Sequence, residues 1–161
     1  AVEHPGPAAI RFPRGEGVGV PMDPDVKKVP VGDAELLRDG RDAAVLAIGS
    51  MVHPALEAAG ELASEGISCA VLNARFVKPL DRVRILELAR RCPALVTVEE
   101  HAARGGFGSA VLELLAEEGL TPRVRVLGVP DALVEHGESR DTVGLSSADV
   151  QRAVAELVGR A

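Results

Sequence analysis

From Ala34 onward, short apolar runs alternate with longer amphipathic stretches. Residues 43–48, Ala-Ala-Val-Leu-Ala-Ile, form a continuous apolar run, the signature of a buried strand. Gly49 ends it, and Ser50 is placed to cap an amphipathic helix over 51–65. Residues 67–73 repeat the strand signal. Residues 79–91 repeat the helix, with Val83, Ile85, Leu86, Leu88 and Ala89 predicted inward and Pro79 as the first helical residue. A third strand over 94–99 feeds a third helix over 108–118, with Val111, Leu112, Leu114 and Leu115 predicted inward. Residues 123–128 alternate in the manner of an edge strand, and a last helix over 147–158 begins at Ser146 or Ser147. The succession predicts an α/β fold, a mostly parallel twisted sheet with flanking helices joined by right-handed crossovers. In such a sheet ligands and partners collect at the carboxyl ends of the strands, which singles out the loops after Ile48, Asn73, Glu99 and Gly128.

The first 32 residues read differently. Residues 8–12, Ala-Ala-Ile-Arg-Phe, make a short extended apolar segment closed by Pro13-Arg14-Gly15, a strand in need of a sheet. Residues 15–32 hold four Gly and three Pro and read as a linker or crossing arm. The expected organisation is the end of a preceding domain over 1–14, a linker over 15–32 and one α/β domain over 33–161. With no Met at the start, the chain reads as part of something longer.

Composition narrows the function classes. The sequence is 47% hydrophobic but only 2% aromatic, so its core must be built from Ala, Val, Leu and Ile. At 161 residues, it can bury that core without disulfides or metals. A net charge of −6 gives no overall attraction to nucleic acid or anionic membranes, so an anion needs a local arginine cluster. The absence of a long apolar run or a charged leader makes a cytoplasmic location the expectation. Cys69 and Cys92 fall where small buried hydrophobes belong, and neither they nor His4 and His53 show metal-ligand spacing, so no metal site is predicted.

Several segments could carry chemistry. Arg75 follows the second strand, where a guanidinium can offer two donors to a phosphate; the plainer reading pairs it with a nearby acid such as Asp81. Glu99, Glu100 and His101 end the third strand, and carboxylates beside a histidine can do acid/base work. The following Gly105-Gly106-Phe107-Gly108 precedes a helix and could admit a phosphate to its N-terminus. It is not a dinucleotide fingerprint, however, and a close-packing or interface turn is the favoured reading. Arg11 and Arg14 form a second basic pair, and their spacing in a strand places them on opposite faces. Gly15-Glu16-Gly17-Val18-Gly19 mimics a phosphate loop without a helix after it, and His136 precedes a glycine in a loop.

Together, Ile10-Arg11-Phe12-Pro13-Arg14-Gly15, Arg75-Phe76-Val77-Lys78-Pro79-Leu80-Asp81, Val96-Thr97-Val98-Glu99-Glu100-His101, Gly105-Gly106-Phe107-Gly108-Ser109, Gly128-Val129-Pro130-Asp131 and Glu135-His136-Gly137 resemble the 1-deoxy-D-xylulose-5-phosphate synthases across nearly the whole chain. The Glu-Glu and glycine-turn loops also resemble the wider transketolase family, including transketolases and 2-oxoacid dehydrogenase β subunits. The resemblance implies a transketolase C-terminal domain over 33–161, preceded by the last strand of a pyrimidine-binding-type domain. It implies a homodimeric transferase that uses thiamine diphosphate and Mg2+ to condense pyruvate with glyceraldehyde 3-phosphate for isoprenoid synthesis. Arg11 and Arg75 match positions that bind the phosphate of glyceraldehyde 3-phosphate. Phe12 stands where the family has tyrosine. The magnesium-binding Gly-Asp-Gly motif and the cofactor-activating glutamate have no counterpart, and Gly32-Asp33-Ala34 is no substitute. The chain alone is therefore expected to hold no catalytic, cofactor or metal residue and to be inactive. The alternatives are the same domain of a transketolase or 2-oxoacid dehydrogenase β subunit, or a non-catalytic regulatory module.

Overall fold

A computed structural model describes residues 3–9, 19, 24, 25, 27–137, 139 and 141–159. The expected strand over 8–12, the Arg11 and Arg14 pair and the Gly15–Gly19 loop fall wholly or largely outside the described residues.

The elements run β1 (Glu35–Arg38), β2 (Ala43–Ala47), α1 (Val52–Ser64), β3 (Cys69–Asn73), α2 (Arg82–Arg91), β4 (Ala94–Ala102), α3 (Phe107–Glu117), β5 (Arg123–Val129) and α4 (Ser147–Val158). The strands form one sheet in the order β1-β3-β2-β4-β5. The pairs β2–β3, β2–β4 and β4–β5 are parallel, and β1 is antiparallel to β3. The expected parallel sheet is thus present, with β5 at one edge as its alternation predicted. The antiparallel β1 at the other edge was not anticipated: Glu-Leu-Leu-Arg is short, and neither face of it is buried.

Side-chain alternation along the strands builds two cores, because successive residues of a strand point to opposite faces. Ala43, Val45 and Ala47 of β2, Cys69 and Val71 of β3, and Ala94, Val96 and Val98 of β4 pack with α1 and α4. The intervening Ala44 and Leu46, Ala70 and Leu72, and Leu95 pack with α2 and α3 around Phe107. Strands buried on both faces have no polar face to alternate with, which is why β2, and β3 as far as Leu72, read as unbroken apolar runs.

The helix boundaries correct four expectations. Ser50 does not cap α1: residues 49–51 form a single 3-10 turn, and α1 follows with Met51 in the capping position and no side-chain cap. Pro79 is not helical, since α2 starts at Arg82 with Asp81 as its cap, the Asp81 carboxylate accepting from the Arg84 N–H at 3.0 Å. Val83 then falls in the first turn on the outer face, and Leu112 lies on the outer face of α3; both are exposed rather than inward. At α4 the expected cap holds: Ser146 and Asp149 form a reciprocal capping box.

Candidate functional site at the carboxyl end of the sheet

The chain leaves β2 toward α1 on one face and leaves β4 toward α3 on the other. Adjacent parallel strands whose connections diverge in this way leave a crevice between their carboxyl ends, the usual ligand position in an open α/β sheet. A cavity of about 600 Å3 opens there. Ile48, Gly49 and Ser50 line it from the loop after β2, Val77 from the loop after β3, and Glu99, Glu100, His101, Gly105, Gly106 and Phe107 from the end of β4 and the turn into α3.

The pairing of β4 with β5 is irregular at this point. Val98 pairs with Leu127 and Ala102 with Val129, so four steps along β4 answer two along β5. Strand alternation puts Glu99 on the α3 face together with Leu95 and Thr97. Glu99 is buried, whereas Glu100 and His101 are exposed at the crevice. One Glu99 oxygen accepts from the Phe107 N–H and the other from the Gly108 N–H, each at 2.8 Å. A carboxylate at this position satisfies two of the four unpaired donors that begin a helix and lies at the positive end of the helix dipole. With both oxygens committed, Glu99 is the anchor of α3 and is not placed to move protons. The N-terminus of α3 is occupied by the chain's own carboxylate, so the glycine turn does not offer these donors to a phosphate. Glu100 instead accepts a hydrogen bond from the Ser50 hydroxyl, bridging the loops after β2 and β4.

The glycines of the turn follow from this packing. A Cβ on Gly106 would lie 2.3 Å from Glu99 Oε2 and 2.4 Å from the Ala102 carbonyl oxygen. One on Gly108 would lie 2.6 Å from both Thr97 Oγ1 and Val126 Cγ1. The close-packing reading of the turn is supported at both positions. Thr97 is fully buried beneath α3, and its hydroxyl has no protein partner.

Arg75 stands just past the carboxyl end of β3, as expected. Its backbone adopts φ 56°, in the left-handed region, and its N–H bonds to the Asn73 side-chain oxygen at 3.2 Å. Its guanidinium pairs with Glu35 at 2.5 Å, not with Asp81. Asp81 is engaged elsewhere, accepting from the Ala34 N–H at 2.9 Å and capping α2. Glu35 faces Asn73 in the β1–β3 register, so its partnership with Arg75 became visible only once β1 was in place. Arg11, the other arginine assigned to the phosphate, lies outside the described residues.

The remaining candidates are dispersed. His136 lies on an exposed loop, His53 is on α1 and His4 is in the exposed N-terminal segment. Among the described residues no three His, Cys, Asp or Glu side chains are grouped to hold a metal ion. Cys69 and Cys92 are free and buried, and burial pushes the Cys69 thiol up to about 12 and raises that of Cys92. No helix among the described residues is long and apolar enough to cross a membrane.

The comparisons with known proteins agree with this architecture. Residues 32–150 match the transketolase C-terminal domain family. The chain is 53% identical over 157 residues to 1-deoxy-D-xylulose-5-phosphate synthase 1 of Geobacter sulfurreducens, covering 95% of this chain and 25% of that protein. It is 52% identical over 160 residues to 1-deoxy-D-xylulose-5-phosphate synthase of Heliobacterium modesticaldum, covering 98% of this chain and 25% of that one. The chain thus spans about a quarter of the length of these relatives. Among solved structures, the inactive β4 tetramer of a split-gene transketolase superposes with a TM-score of 0.79 at 39% identity, over 88% of this chain and 47% of that one. A transketolase variant from Pichia stipitis shares the fold at a TM-score of 0.53 and 18% identity, over 80% of this chain and 18% of that one. By its sequence match and by its fold, the chain belongs to the transketolase C-terminal domain family.

Proposed function

We propose that this chain is the C-terminal portion of a 1-deoxy-D-xylulose-5-phosphate synthase. The complete enzyme condenses pyruvate with glyceraldehyde 3-phosphate, releasing carbon dioxide, as a cytoplasmic homodimer. The observation that carries this reading is the identity of 50–58% to proteins of that name along 81–99% of the chain. The chain's own part is to supply one wall near the substrate. Arg75, with Arg11, holds the phosphate of glyceraldehyde 3-phosphate. Glu35 keeps the Arg75 guanidinium extended at the carboxyl end of β3 until the dianion competes for it.

Thiamine diphosphate and Mg2+ belong to such an enzyme, but the described residues of this chain do not fit them. At the crevice the start of α3 is filled by the Glu99 carboxylate, which would repel a diphosphate, and among the described residues no three His, Cys, Asp or Glu side chains are grouped to hold a metal ion. The cofactor is therefore assigned to the remainder of the protein, and the isolated chain is inactive. The inactive state named for the split-gene transketolase tetramer, a chain that contains this type of domain, is in keeping with that assignment.

Steady-state kinetics of the full-length protein test the proposal. Turnover of pyruvate with glyceraldehyde 3-phosphate is expected. Arg75→Ala should raise the Michaelis constant for glyceraldehyde 3-phosphate by roughly 10- to 150-fold, the equivalent of losing a charge-assisted contact of about 1.5–3 kcal/mol, and leave that for pyruvate nearly unchanged. Equal effects on both substrates, or none, would reduce Arg75 to the structural partner of Glu35.

A further inference from the structure

The loop after β3 presents a cation, and the first residue of β1 supplies its counter-ion. Arg75 is the sole residue other than glycine with a positive φ among the described residues. A side-chain-bearing residue in the left-handed region is strained and stays there only where its surroundings hold it. Here the Ala74 N–H bonds to the Ala47 carbonyl at 2.8 Å, the Phe76 N–H to the Ala74 carbonyl at 2.5 Å and the Arg75 N–H to the Asn73 side chain at 3.2 Å. The turn therefore fixes the direction in which the Arg75 side chain leaves the sheet. Glu35 is placed by a different device. Because β1 runs antiparallel to β3, its first residue lies at the carboxyl end of β3, opposite Asn73. The backbone just before it is anchored: Ala34 is buried in the core on the α2 side, and its N–H bonds to the Asp81 carboxylate at 2.9 Å. The Glu35 side chain itself is 47% exposed, and it meets the guanidinium through one oxygen and one nitrogen, Oε2 to Nη2 at 2.5 Å. A one-point contact between partly exposed groups is weak and exchangeable, whereas the guanidinium fork can hold a phosphate by two donors.

We propose that Glu35 is an internal competitor for the substrate phosphate: before substrate binds, its carboxylate occupies the Arg75 contact that the phosphate of glyceraldehyde 3-phosphate takes, and it thereby sets how tightly that substrate is held. This rests on the assignment of Arg75 to the phosphate. Charge decides what can displace Glu35. A monoanion such as the pyruvate carboxylate would exchange one carboxylate for another and gain nothing at this contact. A phosphate monoester brings a charge of about −1.5 to −2 at pH 7 and gains correspondingly more. The arginine is thus kept neutralised toward monoanions and yields to the phosphate ester. The same competition weakens the hold on a phosphate-bearing product, since the carboxylate that was displaced stands ready to return.

Steady-state kinetics of Glu35→Gln in the full-length protein test this. The substitution removes the charge but keeps the shape and an acceptor for Arg75, so it separates competition from positioning. The Michaelis constant for glyceraldehyde 3-phosphate should fall by about two- to fivefold, the span an exposed ion pair covers, while that for pyruvate holds. Inorganic phosphate, competing with glyceraldehyde 3-phosphate, should inhibit more tightly by the same factor. In an Arg75→Ala background both effects should vanish, because Glu35 acts through the guanidinium. A raised Michaelis constant would show that Glu35 positions Arg75 and does not compete for it. That result would overturn the proposal, as would an unchanged constant, a change shared by pyruvate, or an effect of the same size without Arg75. If Arg75→Ala raises the constant and Glu35→Gln is silent, the proposal alone falls; if Arg75→Ala is itself silent, the phosphate assignment of Arg75 falls and the proposal with it.

Discussion

Replacing Gly106 with Ala tests whether the turn before α3 is built around the buried Glu99 carboxylate. The Gly106 backbone, at φ −92° and ψ −157°, is open to any residue, so the effect of a methyl group is purely steric. The added Cβ would lie 2.3 Å from Glu99 Oε2 and 2.4 Å from the Ala102 carbonyl oxygen, both well inside contact distance. Glu99 is only 3% exposed, so its carboxylate has no solvent to retreat into, and moving it breaks the bonds to the Phe107 and Gly108 N–H groups. Hydrogen bonds to a charged group contribute about 1.5–3 kcal/mol each, and partial relaxation of α3 recovers some of that, so the expected loss is about 3–5 kcal/mol. For a chain of this size the melting temperature should fall by roughly 6–20 °C, and a urea titration of the isolated chain should show an unchanged slope with an earlier midpoint. The same substitution in a Glu99→Ala background should cost less, because one of the two clashes has gone; the residual cost measures the Ala102 carbonyl. A loss below about 1 kcal/mol, or full additivity with Glu99→Ala, would refute the reasoning.

Three further outcomes follow from the same structure. Thr97→Val removes a buried hydroxyl that has no protein partner while keeping its shape, and should raise stability by about 1 kcal/mol in the same urea assay. Cys69 and Cys92 should both resist Ellman's reagent in the native chain at pH 8 and react on unfolding; because burial raises the Cys69 thiol to about 12, its neutral form favours the fold fully below about pH 8.5, and that contribution fades as pH climbs toward 12. At α4, desolvation pushes the Asp149 carboxyl upward, but hydrogen bonds from the Ser146 hydroxyl and N–H and the neighbouring Arg152 outweigh it and hold the group below the usual carboxylate range. Its contribution is therefore complete above about pH 4 and lost as pH falls through the lowered value, so the stability difference between wild type and Asp149→Asn should shrink in acid denaturation series below pH 4.

The sequence revealed most where burial was two-sided. β2, and β3 as far as Leu72, consist of buried apolar residues, and each strand is followed by a helix whose inward positions repeat at helical spacing, so the layered fold could be read directly. β1 escaped because a four-residue edge strand exposed on both faces has no pattern to show, and with it went Glu35, the partner that Arg75 takes in place of Asp81. Val83 and Leu112 were misplaced for a related reason: an apolar side chain within a helical run satisfies the period whether it lies at the core or just outside it. At the site, the glycine turn could be recognised, but not the role of Glu99. Alternation along β4 puts Glu99 on the α3 face with Leu95 and Thr97, but its role as anchor depends on α3 beginning within reach of its carboxylate, which no spacing along the strand encodes.

The two rims of the sheet bear on how this domain behaves in a crowded solution. An open five-stranded sheet has an unpaired row of backbone donors and acceptors on each outer strand, a template onto which another molecule can add strands and begin a fibre. Here β5 places exposed Arg123 and Arg125 along one rim, with Arg125 tied to Glu156 at 3.1 Å, and β1 is four residues long and loses its register between Leu36 and Arg38. Growth at one rim would have to bring arginine rows together, and at the other it would find too little straight backbone to copy. The lateral routes by which such a sheet could seed aggregation are in this way closed at both rims.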